Sequence, residues 1–234
     1  MKIILCGYNW SGCEALRRLM HKKNNDIFVY THKSKYFESD ISEYCEMNKI
    51  QYSYKKITLT NLPFKPDLII SISYKFKIPI KVLKTSTYPP FNLHPSLLPK
   101  YKGCSSIPWA IINNEDYTGY TYHYMNNQFD SGNIILQKKI KIHKFDFQST
   151  LYYRVMFESL TKLDDVIKLA KKKYVGKKQM GRGKYFSRGA PFQGRLNPSW
   201  SKDKKNRFIK SMIFPPRPLA KYKKKSIKNI KDLN

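Results

Sequence analysis

The sequence is poor in acidic residues, in cysteines and in long apolar runs. Its 234 residues contain 16 Asp and Glu against 45 Lys and Arg, a formal net charge of +29. No apolar run approaches the roughly 18 residues that a membrane-spanning helix needs, and the apolar stretch after Lys2 is too short for a secretory signal. We therefore expect a soluble, cytoplasmic protein without a membrane partner.

The four cysteines are scattered and form no CxxC pair. This spacing argues against a disulfide framework and against a structural zinc site. We expect reduced thiols and no bound metal. The four residues are Cys6, Cys13, Cys45 and Cys104.

Hydrophobic residues make up 41% and aromatic residues 15% of the chain, enough for a large core, which excludes wholesale disorder. Part of the charge can reflect the nucleotide composition of the host, because Lys, Asn, Ile and Tyr are all abundant. Its placement is nevertheless uneven, since segments 171–188 and 202–233 are densely basic whereas 113–133 has no Lys or Arg. The C-terminal part therefore favours anionic partners.

Hydrophobic patterning predicts an α/β protein. Strands and helices alternate from the first residues onward, and the run DLIISIS has the continuous β-branched character of a buried parallel strand. The predicted strands are 2–6, 27–31, 67–73, 119–125 and 133–142, and the predicted helices are 13–23, 40–50 and 149–171. Such alternation is typical of an open, twisted parallel sheet.

The pattern changes after residue 172, where Gly, Pro and aromatic residues replace regular periodicity. We predict a boundary near 175, with an α/β catalytic domain over 1–175 and a small C-terminal extension over 176–234. The extension is predicted to contain an exposed β-hairpin within 184–200, which could pair two subunits as a homodimer, then a short helix and a basic tail. We expect the last dozen residues to be loosely ordered.

The first turn, from Gly7 to Gly12, lies between a predicted strand and a predicted helix. Backbone amides and the positive end of the helix dipole can receive a phosphate there. The turn has neither the GxGxxG pattern nor a Walker lysine, so it gives little support to an NAD-dependent oxidoreductase. A tight turn with a packed Trp10 explains the same residues equally well.

The most informative stretch is 91–112, FNLHPSLLPKYKGCSSIPWAII. Asn92 and His94 are two residues apart, so both side chains point to one face of an extended segment. An amide that polarises a carbonyl and an imidazole that moves a proton are the groups that acyl transfer uses. By itself, however, such a pair is more often structural than catalytic.

This stretch closely resembles the HPSLLPxYRG signature of the folate-dependent formyltransferases. The family's third active-site residue is an Asp in a D-x-G-x-I segment, which Asp130 matches here. Residues 71–79 resemble the strand and loop that line the family's folate pocket, and 126–130 resemble the loop that closes over the pterin. Two positions depart from the pattern: Cys104 stands where several members have Arg, and Lys102 where Arg is usual.

The resemblance implies a Rossmann-like formyltransferase fold and N10-formyltetrahydrofolate as the formyl donor. His94 would move the proton, Asn92 would hydrogen-bond the oxyanion, and Asp130 would pair with His94. The other four histidines, His21, His32, His123 and His143, are expected to be structural or exposed. The implied folate-binding residues are Tyr74, Phe76, Ile78, Cys104, Asn126, Asn127, Gln128 and Phe129.

The C-terminal third resembles the segment that follows the core in enzymes formylating nucleotide-linked amino sugars. The matched positions are Tyr185, Arg188, Pro191, Gly194, Leu196, Trp200, Arg207 and Ile209. The implied acceptor is a nucleotide-linked amino sugar, with dTDP-4-amino-4,6-dideoxy-D-glucose for surface polysaccharide (O-antigen) synthesis as the specific expectation. Candidate contacts of this acceptor are Tyr8, Asn9, Trp10 and Lys77, with Phe214 a weaker candidate.

Two alternative functions would also account for the high positive charge. A methionyl-tRNA formyltransferase would suit it, but only 59 residues follow 175 (234 − 175), which is short for the tRNA-binding domain that the resemblance would then require. A basic nucleic-acid-binding protein would also suit it, through the interleaved Tyr, Phe and Lys of 171–190. That alternative leaves 91–134 unexplained, so we expect no nucleic-acid partner.

Overall fold

The computed structural model describes residues 1–22, 24–34, 36 and 40–233. Eleven strands and seven α-helices are described. The strands are β1 Lys2–Gly7, β2 Asp26–Tyr30, β3 Gln51–Ser53, β4 Leu68–Ile72, β5 Phe91–His94, β6 Lys102–Gly103, β7 Tyr117–Tyr124, β8 Ile134–Lys141, β9 Tyr185–Phe186, β10 Ala220–Tyr222 and β11 Lys225–Ile227. The helices are α1 Asn9–Met20, α2 Ile41–Met47, α3 Ile80–Leu83, α4 Ser106–Ile112, α5 Gln148–Leu160, α6 Leu163–Lys171 and α7 Lys202–Ser211.

A seven-stranded sheet organises the fold, in the order β3-β2-β1-β4-β5-β7-β8. Strands β3, β2, β1, β4 and β5 pair in parallel, and β7 pairs antiparallel to β5. All five residues of β4 are buried, as expected for a strand covered on both faces. The predicted α/β class with an open, mostly parallel sheet is confirmed.

Local sequence explains where the helices begin and end. Asp40 caps α2, because its Oδ1 accepts a hydrogen bond from the Ser42 backbone N–H at 3.0 Å. The prediction of one helix over 149–171 is wrong, because α5 ends at Leu160 and α6 begins at Leu163. At the break, the Thr161 hydroxyl donates to the Glu158 carbonyl at 2.7 Å, a local bond that competes with continued helix.

The described chain divides into two compact units. The first comprises 1–94, 121–136 and 157–179, and the second comprises 95–120, 137–156 and 180–234. The boundary that the sequence predicts near 175 falls four residues before the end of the first unit's last segment. The division into a catalytic domain and an extension stays a prediction.

The second unit has a core rich in aromatic rings. Phe208 is fully buried, and its ring lies 5.3 Å from that of Trp200, which lies 4.7 Å from that of Phe192. The predicted hairpin within 184–200 is wrong, because β9 pairs in parallel with β6 and a 3-10 helix follows at Pro191–Gly194. Pro191 has no N–H to donate to a returning strand. The predicted homodimer therefore loses the hairpin on which it was based.

The end of the chain is more regular than predicted. Strands β10 and β11 form an antiparallel hairpin, and a 3-10 helix follows at Ile230–Leu233. The Asp232 carboxylate accepts hydrogen bonds from the backbone N–H groups of Lys228 and Asn229, at 2.7 and 3.0 Å. The described residues of the tail thus form regular elements, and the loose ordering of the tail stays a prediction. None of the helices in the described ranges is long and apolar enough to cross a membrane.

Candidate active site

The site forms where parallel strands of the first unit end. Strands β1, β4 and β5 end at Gly7, Ile72 and His94, and their pairing places these ends at one edge of the sheet. In open α/β sheets this carboxyl edge is where ligands bind. Along β5, Phe91 and Leu93 are buried in the core, so Asn92 and His94 share the opposite face. His94 is only 5% exposed.

Asp130 reaches this edge from the turn between β7 and β8. Its Oδ2 lies 3.6 Å from His94 Nδ1, so the structure brings together the three residues predicted to be catalytic. Asp130 has a left-handed backbone with φ of 51°. The turn requires glycine at 132, because a Cβ there would lie 1.9 Å from the Tyr124 carbonyl oxygen. The D-x-G spacing is thus set by backbone packing.

A fourth residue belongs to this cluster, and sequence reasoning missed it. His123, expected to be structural or exposed, is 2% exposed and lies opposite Asn92 in the β5–β7 register. Its Nε2 is 3.1 Å from Asn92 Nδ2 and 3.3 Å from Asp130 Oδ1. The one available signal was that His123 lies in a predicted strand. The sequence did not show that this strand pairs with β5.

The hydrogen-bond partners of His123 define what it can do. Its Nδ1 faces the Tyr124 carbonyl oxygen at 2.9 Å, so Nδ1 carries a proton and donates. In the neutral ring, Nε2 then accepts from the Asn92 amide and fixes that amide's orientation. In the protonated ring, Nε2 donates to the Asp130 carboxylate. The imidazole therefore has a partner in both protonation states.

The first turn of α1, which follows β1, has a defined geometry at the same edge. Asn9 is buried with φ of 48°, and its Oδ1 accepts from the Ser11 backbone N–H at 3.2 Å. The Ser11 and Ser73 hydroxyls are 2.9 Å apart. Trp10 is half-buried. These contacts join the start of α1 to the residue that follows β4.

The ring of Tyr8 stacks on His32, with centroids 4.0 Å apart and an angle of 17°. The centroid of the His32 ring also lies 6.2 Å from that of Tyr74 and 5.8 Å from that of Phe76. The sequence assigned Tyr8 to the acceptor and Tyr74 and Phe76 to the folate; the structure joins these three rings through His32. Burial raises the pKa of Tyr74 above its ordinary range, so its hydroxyl stays protonated.

The remaining predicted folate residues lie in three places. Ile78 is buried in a core cluster with Ile4 and Val82. The loop residues Asn126, Asn127, Gln128 and Phe129 are exposed, and Asn126 Oδ1 accepts from the Gln128 N–H at 2.9 Å. Cys104 lies in the second unit, where its N–H donates to the Phe186 carbonyl at 2.8 Å.

Lys77, a predicted acceptor contact, is exposed in the first unit, whereas the C-terminal positions matched by sequence lie in the second. Trp200 packs against the second unit's core, whereas Tyr185 is 54% exposed. Arg207 Nε donates to the Ile112 carbonyl at 3.1 Å. Phe214, the weaker acceptor candidate, packs against Tyr152 and lies under the Arg217 guanidinium at 4.5 Å. Trp200, Arg207 and Phe214 thus each have contacts within the second unit.

The Cys13 and Cys45 thiols are not activated as nucleophiles. Burial raises the pKa of the Cys13 and Cys45 thiols to about 12, so both stay protonated at neutral pH. Within the described ranges, no three His, Cys, Asp or Glu side chains form a group that could hold a metal ion.

The fold and the site define an α/β protein in which a partly buried Asn meets buried His, His and Asp side chains at the carboxyl edge of a parallel sheet, an arrangement suited to acid–base chemistry. Residues 14–167 match the Formyl transferase family. The chain belongs to that family, as its motifs predict.

Three known proteins show where the chain stands within the family. It is 41% identical over 157 residues to a GDP-perosamine N-formyltransferase of Brucella melitensis, a match that covers 67% of this chain and 61% of that relative's length. A crystal structure of WlaRD, a sugar 3N-formyl transferase in the presence of dTDP and 5-N-formyl-THF, has a TM-score of 0.79 at 22% identity and covers 98% of this chain and 85% of that one. An N-formyltransferase from Helicobacter canadensis, in complex with folinic acid and dTDP-3-aminofucose, has a TM-score of 0.78 at 23% identity and covers 98% and 87%. At these identities the two structures show the shared fold.

Proposed function

We propose that this protein transfers a formyl group from N10-formyltetrahydrofolate to the amino group of a nucleotide-linked amino sugar. The observation that carries the proposal is the meeting of Asn92, His94 and Asp130, together with His123, in one cluster. Membership of the Formyl transferase family supports the reaction. The sugar N-formyltransferases among its relatives and structural neighbours support the acceptor class.

The proposed chemistry needs one proton transfer and one stabilised oxyanion. The acceptor amine attacks the formyl carbon, the bond from that carbon to N10 breaks, and the amine's proton passes to the departing folate nitrogen. His94 would carry this proton. Asn92 has two amide N–H groups, of which one faces His123, so the second can donate to the oxyanion. Losing one such donor typically costs about 3 kcal/mol of transition-state stabilisation.

The acceptor is an amino hexose on a nucleoside diphosphate, and the relative at 41% identity makes GDP-perosamine the first to test. We retain dTDP-4-amino-4,6-dideoxy-D-glucose as the second. Tyr8, Asn9, Trp10 and Lys77 are proposed to contact this acceptor. The proposed contacts of the folate are Tyr74, Phe76, Ile78, Cys104, Asn126, Asn127, Gln128 and Phe129. The formamido sugar would be made in the cytoplasm for surface polysaccharide.

The test is an acceptor panel. Purified protein is incubated with N10-formyltetrahydrofolate and, separately, GDP-perosamine, dTDP-4-amino-4,6-dideoxyglucose, dTDP-3-aminofucose or initiator methionyl-tRNA, and products are read by mass. We expect one formyl mass on a nucleotide sugar and none on tRNA. Transfer to tRNA alone, or to no acceptor, would contradict the proposal. The His94→Ala variant is the control for uncatalysed transfer.

A further inference from the structure

A segment beyond the matched family region holds the turn that carries Asp130. The strap, defined as residues 174–179, follows α6 and runs beside residues 130–134 within the first unit. The family match ends at 167, so nothing in it assigns a role to the strap. Its hydrogen bonds lie on both sides of the D-x-G turn.

Main-chain pairing fixes the middle of the strap. The Ile134 N–H donates to the Lys177 carbonyl at 2.7 Å, and the Lys177 N–H donates back to Ile134 at 2.8 Å. Gly176 permits this approach, because it has φ of +74° and a Cβ there would lie 2.8 Å from the Ile134 carbonyl oxygen. The Asn133 side-chain amide donates to the Val175 carbonyl at 3.0 Å. The strap is therefore in fixed register with the turn.

Gln179, at the end of the strap, contacts the turn itself. Its Nε2 donates to the backbone carbonyls of Asp130, at 3.0 Å, and of Gly132, at 2.8 Å. Both partners are acceptors, so only the amide's NH2 end can face them. One side chain thus holds the carbonyls on either side of residue 131. These bonds help to hold Asp130 in its left-handed backbone conformation, which is unfavourable for a residue other than glycine.

We propose that Gln179 is a positioning residue for formyl transfer. By fixing the Asp130 and Gly132 carbonyls, it sets the place of the carboxylate that His94 and His123 contact at 3.6 and 3.3 Å. This inference rests on the proposed function. Displacement of a catalytic group by about 1 Å can cost about a hundredfold in rate, so two hydrogen bonds away from the substrate can matter to kcat.

The kinetic test compares Gln179→Met with Gln51→Met. Methionine keeps the chain length and removes the donor, and Gln51 is exposed on β3. We expect Gln179→Met to lower kcat about tenfold or more, with KM for both substrates within about twofold, and Gln51→Met to change neither. Circular dichroism gives the folded fraction. A kcat within twofold of the wild type, or a loss that only follows the folded fraction, would overturn the proposal.

A double-mutant cycle separates positioning from a general structural role. If Gln179 acts through Asp130, adding Gln179→Met to Asp130→Asn lowers the residual rate less than about twofold. A merely structural effect would recur in full in the second background. An undiminished loss there would overturn the proposal.

A readout without turnover keeps this test apart from that of the proposed function. In nitrogen-15 spectra, Gln179→Met is expected to shift the ring signals of His94 and His123 and to leave those of His21 and His143 in place. Unchanged His94 and His123 signals would overturn the positioning role. If the wild type formylates no acceptor while these signals shift, the proposed function fails and the positioning of Asp130 by Gln179 stands.

Discussion

The two compact units each bury a carboxylate, and they treat it differently. In the second unit, the Asp146 oxygens accept from Arg154 Nη1 at 2.9 Å, from Arg154 Nη2 at 2.6 Å and from the His143 backbone N–H at 2.7 Å. In the first unit, the contacts of Asp130 with two imidazoles are 3.3 and 3.6 Å long. Short charge-assisted bonds lock Asp146 as a structural ion. Asp130 instead lies between two imidazoles of the candidate active site.

The two units also differ in the side chains that they bury. The carboxyl edge of the first unit buries polar groups side by side, whereas the second unit's core consists of aliphatic side chains and Phe208, with aromatic rings packed against it. Substitutions in the polar cluster of the first unit should therefore change the rate, and substitutions in the core of the second unit should change stability.

The largest expected effect is on rate. Asp130→Asn keeps the shape of the side chain and removes the charge that both imidazoles face, so we expect kcat to fall about a thousandfold. The melting temperature should stay close to that of the wild type. Steady-state kinetics and thermal denaturation measure the two quantities. Asp203→Asn, on the exposed start of α7, is the control. A large drop in stability with kcat retained would reverse the assignment.

The second effect is on stability. Phe208 is fully buried among aromatic rings, and Phe208→Ala is expected to lower the free energy of unfolding by about 3–4 kcal/mol. The kcat of the remaining folded protein should change little. Urea denaturation measures the loss, and Phe145→Ala, at a side chain that is 71% exposed, should cost about 0.5 kcal/mol or less. A loss of unfolding free energy at Phe208 as small as that at Phe145 would show that the aromatic packing contributes little.

The third substitution should affect both properties. Gly132→Ala places a Cβ 1.9 Å from the Tyr124 carbonyl oxygen, so the turn must open and Asp130 must move. We expect a cost of about 2–3 kcal/mol in stability together with a loss of kcat. Gly181→Ala is the control, because a Cβ there meets no atom within 4 Å and only its φ of +84° is unfavourable. Unchanged kcat in Gly132→Ala would mean that the turn does not position Asp130.

The smallest effect depends on pH. Burial alone would raise the pKa of Asp146, but the bonds from Arg154 and His143 outweigh it, so its pKa lies below the ordinary value. The stabilisation is therefore complete above the unfolded pKa of about 3.9 and is lost as the pH falls through the folded pKa. Asp146→Asn should cost about 1–2 kcal/mol at pH 7, with a smaller difference from the wild type below pH 4. A difference independent of pH would contradict the ion pair.

The parallel sheet, Asn92 and His94 could be predicted because each left a local signal, such as the two-residue spacing that places Asn92 and His94 on one face of a strand. Asp130 was implied by the resemblance of its D-x-G-x-I segment, and the structure shows that the turn there requires glycine at 132. His123 left no such signal, since its role comes from lying opposite Asn92 across an antiparallel pair. The spacing of residues along the chain does not reveal which distant strands pair.

The same reason explains the errors in the C-terminal part. Residues 185–186 have the composition of a hairpin strand, yet they pair with 102–103, more than eighty positions earlier. At the break between α5 and α6, the Thr161 hydroxyl donates to the Glu158 carbonyl, a local bond that hydrophobic periodicity does not reveal. Gln179 lies in a segment without periodicity, and only its distance to two carbonyls reveals its contact with the turn. Tertiary contacts thus decide the pairing of 185–186 and the placement of Gln179.

The most direct test of the account is the rate of formyl transfer by His94→Ala, measured on the acceptor that the wild type uses, with the melting temperature of the same sample. We expect a fall of about a thousandfold in kcat with the fold retained, because the group that moves the proton is gone. A folded His94→Ala protein with a rate within about threefold of the wild type would show that the buried cluster is not the catalytic centre.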